Sequence, residues 1–473
     1  MTDYEAVIGL ECHVQLATSS KMFCGCSTDY AGAPPNSHVC TVCLGMPGVL
    51  PVINRKAVEY TLLTGLALEA EIPEATKFDR KNYPYPDLVK GYQISQYDLP
   101  LVKGGSVEIT VGDAEPRRIH LERVHLEEDT GKLSHVGDGS LVDFNRSGVP
   151  LMEMVSKPDL RTPAEARAYL QKLRAILRTL GVSGADMEKG QLRCDVNVSL
   201  RPVGQTTFGT KVEVKNLNSF RAVQRALDYE IQRQGEILER GERVEQETRG
   251  WVEERGVTVS QRSKEEAHDY RYFPEPDLTP LFVERAWLDD LRARLPELPD
   301  ARRARYMQTF GLGAYDAELL STDQRAAELF EATVAAGADA KKAANWIQND
   351  VARLWSEAED GAHLSPAALA ELIRMVDQGT IGISAARQVL PEVVQTGKSP
   401  AAVVEERGLA QVSDVSALEA AVRAAIEANP AAVADYRAGK ASAINFLKGQ
   451  VMRATRGKAN PQIAEDLLRR LLA

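Results

Sequence analysis

Ala6-Val7-Ile8-Gly9-Leu10-Glu11-Cys12-His13-Val14-Gln15-Leu16 alternates with a period of two. Ala6, Ile8, Leu10, Cys12, Val14 and Leu16 are apolar and must face a core, because successive side chains of a strand point to opposite faces. The other face presents Glu11, His13 and Gln15 side by side. A Glu and a His two positions apart on one face can share a divalent cation. The same pattern also fits a half-exposed strand.

The same grammar returns downstream. Within residues 191–201, Leu192, Cys194, Val196, Val198 and Leu200 form one face, and Arg193, Asp195, Asn197 and Ser199 the other. Within 210–218, Val212 and Val214 oppose Lys211, Glu213 and Lys215. These segments read as an antiparallel pair joined by 202–209. Charges are common on surface sheets, but this mixture suits a Mg²⁺-nucleotide: carboxylates hold the metal while Lys and Arg neutralise phosphate oxygens. Glu127, Glu128 and Asp129 stand in a row, and their mutual repulsion costs energy unless a cation offsets it. Glu153 sits inside the apolar run Leu151-Met152-Glu153-Met154-Val155. Alternation does not choose between Glu127 and Glu128 as a member of the polar face, because the pattern slips phase around Arg123.

Cys24-x-Cys26 and Cys40-x-x-Cys43, thirteen residues apart, can supply four thiolates to one structural zinc. Cys12 and Cys194 stand alone, which suits a reducing cytoplasm better than a disulfide framework. At 473 residues the chain calls for two or three domains. With 44% hydrophobic and 26% charged residues it has a soluble globular composition. No apolar run approaches the roughly 20 residues that span a bilayer, and the acidic start is not that of a signal peptide. The net charge of -10 argues against indiscriminate nucleic-acid binding but permits local basic patches.

Strand-rich text runs to about residue 294 and Ala-rich helical text follows, with a linker at 295–300 and a second break near 405–411. Thr162-Pro163-Ala164-Glu165 reads as a capping box opening a helix with the stripe Tyr169, Leu170, Leu173, Ile176 and Leu177. A second helix is expected from about Phe220 to Arg240. There is no P-loop, since Gly397-Lys398-Ser399 has Glu392 where the first Gly belongs. A dinucleotide fingerprint and a nucleophile elbow are also missing. Phe78-Asp79-Arg80-Lys81-Asn82-Tyr83-Pro84-Tyr85-Pro86-Asp87 and Asp269-Tyr270-Arg271-Tyr272-Phe273-Pro274-Glu275-Pro276-Asp277 interleave basic and aromatic residues. Both suit a stacked base or a tRNA end, or a Pro-rich packing loop.

These two segments, together with Val7–Val14, Tyr92-Gln93-Ile94-Ser95-Gln96, Leu192-Arg193-Cys194-Asp195 and Val214-Lys215-Asn216-Leu217-Asn218-Ser219, closely resemble the B-subunit family of the bacterial aspartyl/glutamyl-tRNA(Asn/Gln) amidotransferases. The resemblance implies an α+β fold: a glutamine-synthetase-like cradle domain (1–294) with a largely antiparallel sheet, an all-α helical domain (295–408) and a small helical tail (409–473). It implies an ATP-dependent carbon–nitrogen ligase in the cytoplasm. The chain would phosphorylate the side-chain carboxylate of Glu or Asp on misacylated tRNA(Gln) or tRNA(Asn). Ammonia from the partner amidase (glutaminase), the A subunit, would then displace the phosphate. A small C subunit would complete a heterotrimer.

By resemblance, Glu11, His13, Glu128 (or Glu127) and Glu153 are expected to hold Mg²⁺ and serve catalysis. Asp195, Glu213 and Lys215 fall where ATP and its metal are expected, with Lys215 also expected to serve catalysis, and Lys211, Arg193 and Asn197 extend that face. All four zinc cysteines are kept. In the tail, Lys440, Lys448, Arg453, Arg456 and Lys458 form a basic group expected to contact tRNA phosphates, although a solvated helical face reads the same way.

Overall fold

The computed structural model describes residues 3–112, 114–263, 270–357, 364–410, 415–455 and 459–472. The chain divides into two compact units, Met1–Pro299 and Asp300–Ala473. The strands that position the polar residues all lie in the first. They are β1 (Tyr4–Gln15), β2 (Asp79–Asn82), β3 (Tyr92–Ser95), β4 (Val102–Lys103), β5 (Ser106–Ile109), β6 (Arg117–Glu128), β7 (Pro150–Ser156), β8 (Leu192–Pro202), β9 (Val212–Lys215), β10 (Glu247–Val252), β11 (Val257–Ser263) and β12 (Phe273–Pro274).

Nine of them form one sheet in the order β11-β10-β9-β8-β1-β7-β6-β4, with β5 also paired to β6. Every pairing is antiparallel except β9 with β10. The architecture is thus mixed α and β with a mainly antiparallel sheet, followed by a helical C-terminal unit. The opening strand lies near the middle. Ile8, Leu10, Cys12 and Val14 are buried, and Cys12 lies opposite Cys194 in the register.

Two long helices, α2 (Pro163–Thr179) and α3 (Phe220–Glu239), share the core of that apolar face; α1 (Arg55–Ala67) joins it. The capping box of α2 is formed: the Glu165 N–H donates to Thr162 Oγ1 at 3.1 Å and the Thr162 N–H to Glu165 Oε2 at 3.2 Å. Helix α3 ends at Glu239, and Gly241 follows at φ +76°, a conformation that L side chains rarely adopt. On α3, Glu230 is buried and paired with Arg233 (2.9 Å) and Arg249 (3.1 Å).

A β-bulge explains the phase slip near Arg123. Val155 pairs with Arg123, but the next residue, Ser156, pairs with Leu121, so Glu122 is the extra residue. Beyond the bulge, His125 lies opposite Glu153 and Glu127 opposite Leu151. Arg123, His125 and Glu127 therefore share the face of Glu153. A small sheet of β12, β2 and β3 is fastened to β6: Gln93 Nε2 donates to the Glu128 carbonyl at 2.6 Å, and the Leu126 N–H to Gln96 Oε1 at 3.0 Å.

The second unit has two apolar clusters, one spanning Tyr306 to Val404 and the other Leu418 to Leu472. Among the described residues, no helix is long and apolar enough to cross a membrane.

Candidate functional site

The polar face of the sheet gathers its charges through register. His13 on β1 lies opposite Glu153 on β7, and Glu153 opposite His125 on β6. His13 Nε2 stands 3.3 Å from Glu153 Oε2; His125 Nε2 stands 3.4 Å from the same oxygen and 3.6 Å from Glu127 Oε2. Ser95 Oγ donates to Glu127 Oε2 at 2.9 Å. His13, Glu127 and Glu153 each offer a ligand atom, all within 4.8 Å of one another.

The electrostatics are those of a buried ion cluster. Burial opposes the ionisation of Glu153, but His125 and His13 hold its carboxyl well below the usual range. Burial likewise opposes Glu127, and Lys81 and His125 overcome it. Burial would lower His125, yet Glu153 and Glu127 raise it to about 9. Lys81, from β2, is pushed above the ordinary lysine range by Glu127 and Glu153 despite its burial. Tyr272 borders the same charges: burial pushes its hydroxyl up to about 12, with Glu127 and Glu153 adding to the rise and Lys81 opposing it.

The three consecutive carboxylates do not share one cation; they are dealt to three partners. Glu127 joins the cluster. Glu128 points to the opposite side, where it takes the Lys90 ammonium and accepts from the Ile94 N–H at 3.0 Å. That corrects the expectation of Glu128 among the metal-facing acids: alternation after the bulge turns it away. Asp129 accepts from Arg193 Nη2 at 3.0 Å and from Gln15 Nε2 at 2.8 Å. Arg193, expected to meet phosphate, is thus engaged with a buried carboxylate. Asp129→Asn is expected to cost about 3 kcal/mol, the low end for a broken buried pair because Arg193 is partly exposed; urea denaturation checks it.

Glu11 also departs from expectation. It leans toward β8 rather than sharing the His13 cluster, accepting from Asn197 Nδ2 at 2.8 Å. Asp195 lies opposite Glu11 in the register and takes Lys215 Nζ at 2.7 Å. Lys215 also lies 3.3 Å from Glu213 Oε1, and Thr248 Oγ1 donates to Glu213 Oε2 at 2.7 Å. Asn197 Oδ1 is buried and accepts no hydrogen bond from the described residues. Lys211 is exposed, one residue before β9. Glu11, Asp195, Glu213, Glu127 and Glu153 are only partly offset by Lys215, His125 and Lys81, so divalent cations would ease the entry of a polyphosphate. The residue chemistry fits a metal-bound nucleotide.

Cys24, Cys26, Cys40 and Cys43 bring their sulfurs within 4.8 Å of one another. Cys40 and Cys43 Sγ are 3.8 Å apart, the edge of a tetrahedron about 3.8 Å long around a metal with bonds of about 2.3 Å. The donor set fits zinc. Buried Lys21 places its ammonium 3.8 Å from Cys43 Sγ.

Residues 6–289 match the family model described as the GatB/GatE catalytic domain, and residues 328–472 the model described as the GatB domain. The chain belongs to the GatB family. A Moorella thermoacetica protein named as the B subunit of aspartyl/glutamyl-tRNA(Asn/Gln) amidotransferase is 57% identical over 99% of this chain and 100% of its own. Proteins of that name from Carboxydothermus hydrogenoformans (54% identical, 100% of both chains) and Dehalococcoides mccartyi (53% identical, 100% of this chain and 99% of its own) are similar throughout.

In this GatB chain the catalytic-domain match contains the whole polar face and the cysteines, and the second match the tail cations. Lys440 pairs with Asp435 at 2.9 Å and Lys448 with Glu465 at 2.7 Å, so the expected basic patch is interleaved with acids. Arg453 is exposed; Arg456 and Lys458, like Asp269 of the aromatic motif, lie outside the described residues. Lys81, His125 and Ser95 were given no site role from sequence, and Asp129 was read only as one of three crowded acids. Period-two alternation back from Glu127 could have found His125; Lys81 and Ser95 come from another sheet, and no local pattern marks their approach to Glu127.

Proposed function

We propose that this chain is the ATP-dependent kinase and amide-forming subunit of the amidotransferase, acting on Glu or Asp esterified to tRNA(Gln) or tRNA(Asn). One observation carries the reading: the Asp195–Lys215–Glu213 group and the His13–Glu127–Glu153 cluster lie on one continuous sheet face. A nucleotide and its metal need both kinds of group side by side. The family name borne by the full-length relatives supports the substrate.

In the first step a side-chain carboxylate oxygen attacks the γ-phosphorus of ATP, the bond to the bridging oxygen breaks, and ADP leaves. In the second, ammonia attacks the acyl carbon, the carbon–oxygen bond breaks, and inorganic phosphate leaves with loss of a proton. Two anions must meet in the first step, so charge neutralisation and in-line positioning dominate and no general base is required. Mg²⁺, held by His13, Glu127 and Glu153 with Glu11 nearby, would supply the neutralising charge. Lys215, oriented by Asp195 and Glu213, faces the phosphates; Asn197 offers its unpaired carbonyl to the metal or nucleotide.

The unit bearing this face is read as a glutamine-synthetase-like cradle (1–294), followed by a helical domain (295–408) and a tRNA-contacting tail (409–473). Zinc holds the cysteine loop. The amidase partner (the A subunit) supplies ammonia, a small C subunit makes up the heterotrimer, and the complex works in the cytoplasm.

The test supplies ammonium chloride directly, with ATP, Mg²⁺ and Glu-tRNA(Gln) or Asp-tRNA(Asn), and analyses the released amino acids. Gln or Asn appearing only with ATP is the expected result. No amide, even after the partner subunits are added, would overturn the reading.

A further inference from the structure

The aromatic motifs left unused by this mechanism converge beside it. Tyr97 and Tyr272 stack with centroids 4.3 Å apart and planes 9° from parallel. Tyr272 meets Tyr270 edge-on at 6.0 Å, and Tyr270 meets Tyr83 at 5.7 Å. Lys81 Nζ lies 5.1 Å from the Tyr270 ring centroid, so the chain of rings ends at a cation whose charge is felt by Glu127 and Glu153. The stack is anchored: the Tyr97 N–H donates to buried Asp79 at 3.0 Å, and Asn82 Nδ2 donates to the Arg271 carbonyl at 2.9 Å. Tyr272 covers one face of Tyr97, yet Tyr97 stays 58% exposed. The pair thus presents one open aromatic face, that of Tyr97, beside a buried ion cluster, and a planar group could stack on it.

Strand order decides which group. The acids and lysine assigned to the nucleotide lie on β8 and β9, on one side of β1. The stacked tyrosines flank the small sheet fastened to β6, on the other. The His13–Glu127–Glu153 cluster spans β1, β7 and β6 between them. In-line displacement at phosphorus requires the nucleophile to arrive opposite the departing ADP. The aromatic side is therefore the acceptor's side. We propose that the Tyr97–Tyr272 stack seats the 3′-terminal base of the aminoacylated tRNA, which sets the side-chain carboxylate against Lys81. The inference rests on the kinase reading above and names its acceptor subsite. Stacking tolerates any base, so the seat positions the ester without selecting the tRNA.

The test uses the assembled complex. Tyr97→Ala is expected to raise the KM for Glu-tRNA(Gln) about 5- to 150-fold, the range for loss of one stacked base, with the KM for ATP unchanged. Tyr97→Trp restores it and Tyr97→Leu, of similar apolar character, does not. As a direct probe, tRNA(Gln) carrying 2-aminopurine at its 3′ end is expected to lose fluorescence on binding wild type but not Tyr97→Ala. An ATP analogue with 2-aminopurine as its base is expected to show no Tyr97-dependent quenching. Quenching of the nucleotide instead of the tRNA end overturns the assignment, as does an unchanged KM in Tyr97→Ala while wild type makes amide. If wild type makes no amide but the tRNA end is still quenched, the stack stands and the kinase reading fails.

Discussion

Glu153→Gln is expected to lower ATP-dependent amide formation by roughly 10²- to 10³-fold while affinity for tRNA is kept. The carboxylate takes both His13 and His125, at 3.3 and 3.4 Å from one oxygen. The amide is nearly isosteric, so no cavity opens and packing around Met152 and Met154 should survive. What is lost is the charge at the point where three strands bring their polar residues together. The side chain would also present an NH₂ group to two imidazoles, which scatters the ligand atoms that a divalent cation needs. Kinetics with ammonium chloride as nitrogen donor, filter binding of tRNA and a thermal melt separate the outcomes. Activity lost with tRNA binding and folding intact supports a catalytic cluster. If all three fall together, Glu153 was a structural ion-pair member and the proposed chemistry lies elsewhere.

How much of this was legible in the sequence depends on the range over which each signal acts. The polar faces of β1, β8 and β9 were readable because alternation is local: Glu11 and His13, or Arg193, Asp195 and Asn197, share a face whatever the strand pairs with. What they do on that face is set by register, which no local pattern carries. Glu11 and His13 were expected to share a cation, yet each leans to a different neighbouring strand. Arg193 was expected at phosphate, yet Asp129, remote in sequence, holds it. The uncertainty between Glu127 and Glu128 had a definite physical source, the bulge opposite Val155 and Ser156, and only the pairing resolves it. Lys81 was visible as one basic residue among aromatics; its approach to Glu127 depends on how a separate small sheet sits on β6. The tail shows the same limit, since Lys448 meets Glu465 across two helices, a pairing no local pattern reveals.

Removing the proposed zinc should act on stability first and on catalysis second. Cys43→Ser, or chelation of the wild-type protein, is expected to open the cysteine loop, because metal binding worth on the order of 10 kcal/mol cannot be replaced by its few local hydrogen bonds. Lys21 makes the expectation sharper. Its ammonium is fully buried, at 0% exposure, and its partners are the His38 carbonyl at 2.7 Å, the Phe144 carbonyl at 3.3 Å and Cys43 Sγ at 3.8 Å. Of these only the sulfur can carry a compensating negative charge, and Lys21 helps hold the Cys43 thiol down to about 4, behind the larger effect of Cys24. Four thiolates around Zn²⁺ carry two negative charges, of which Lys21 offsets one. Taking the thiolate away strands a buried cation, at about 3–5 kcal/mol for a broken buried pair. Lys21→Met in the Cys43→Ser background should therefore cost less than in wild type, a coupling that a double-mutant cycle measures. The loop reaches the polar face through Tyr30, whose hydroxyl receives Gln15 Nε2 at 3.3 Å. Some activity should be lost, in proportion to the melted fraction rather than before it. Metal analysis, limited proteolysis across residues 24–46 and ammonia-dependent turnover on the same samples decide the matter. A purified chain that carries no zinc and ignores chelator would reduce the four cysteines to ordinary thiols.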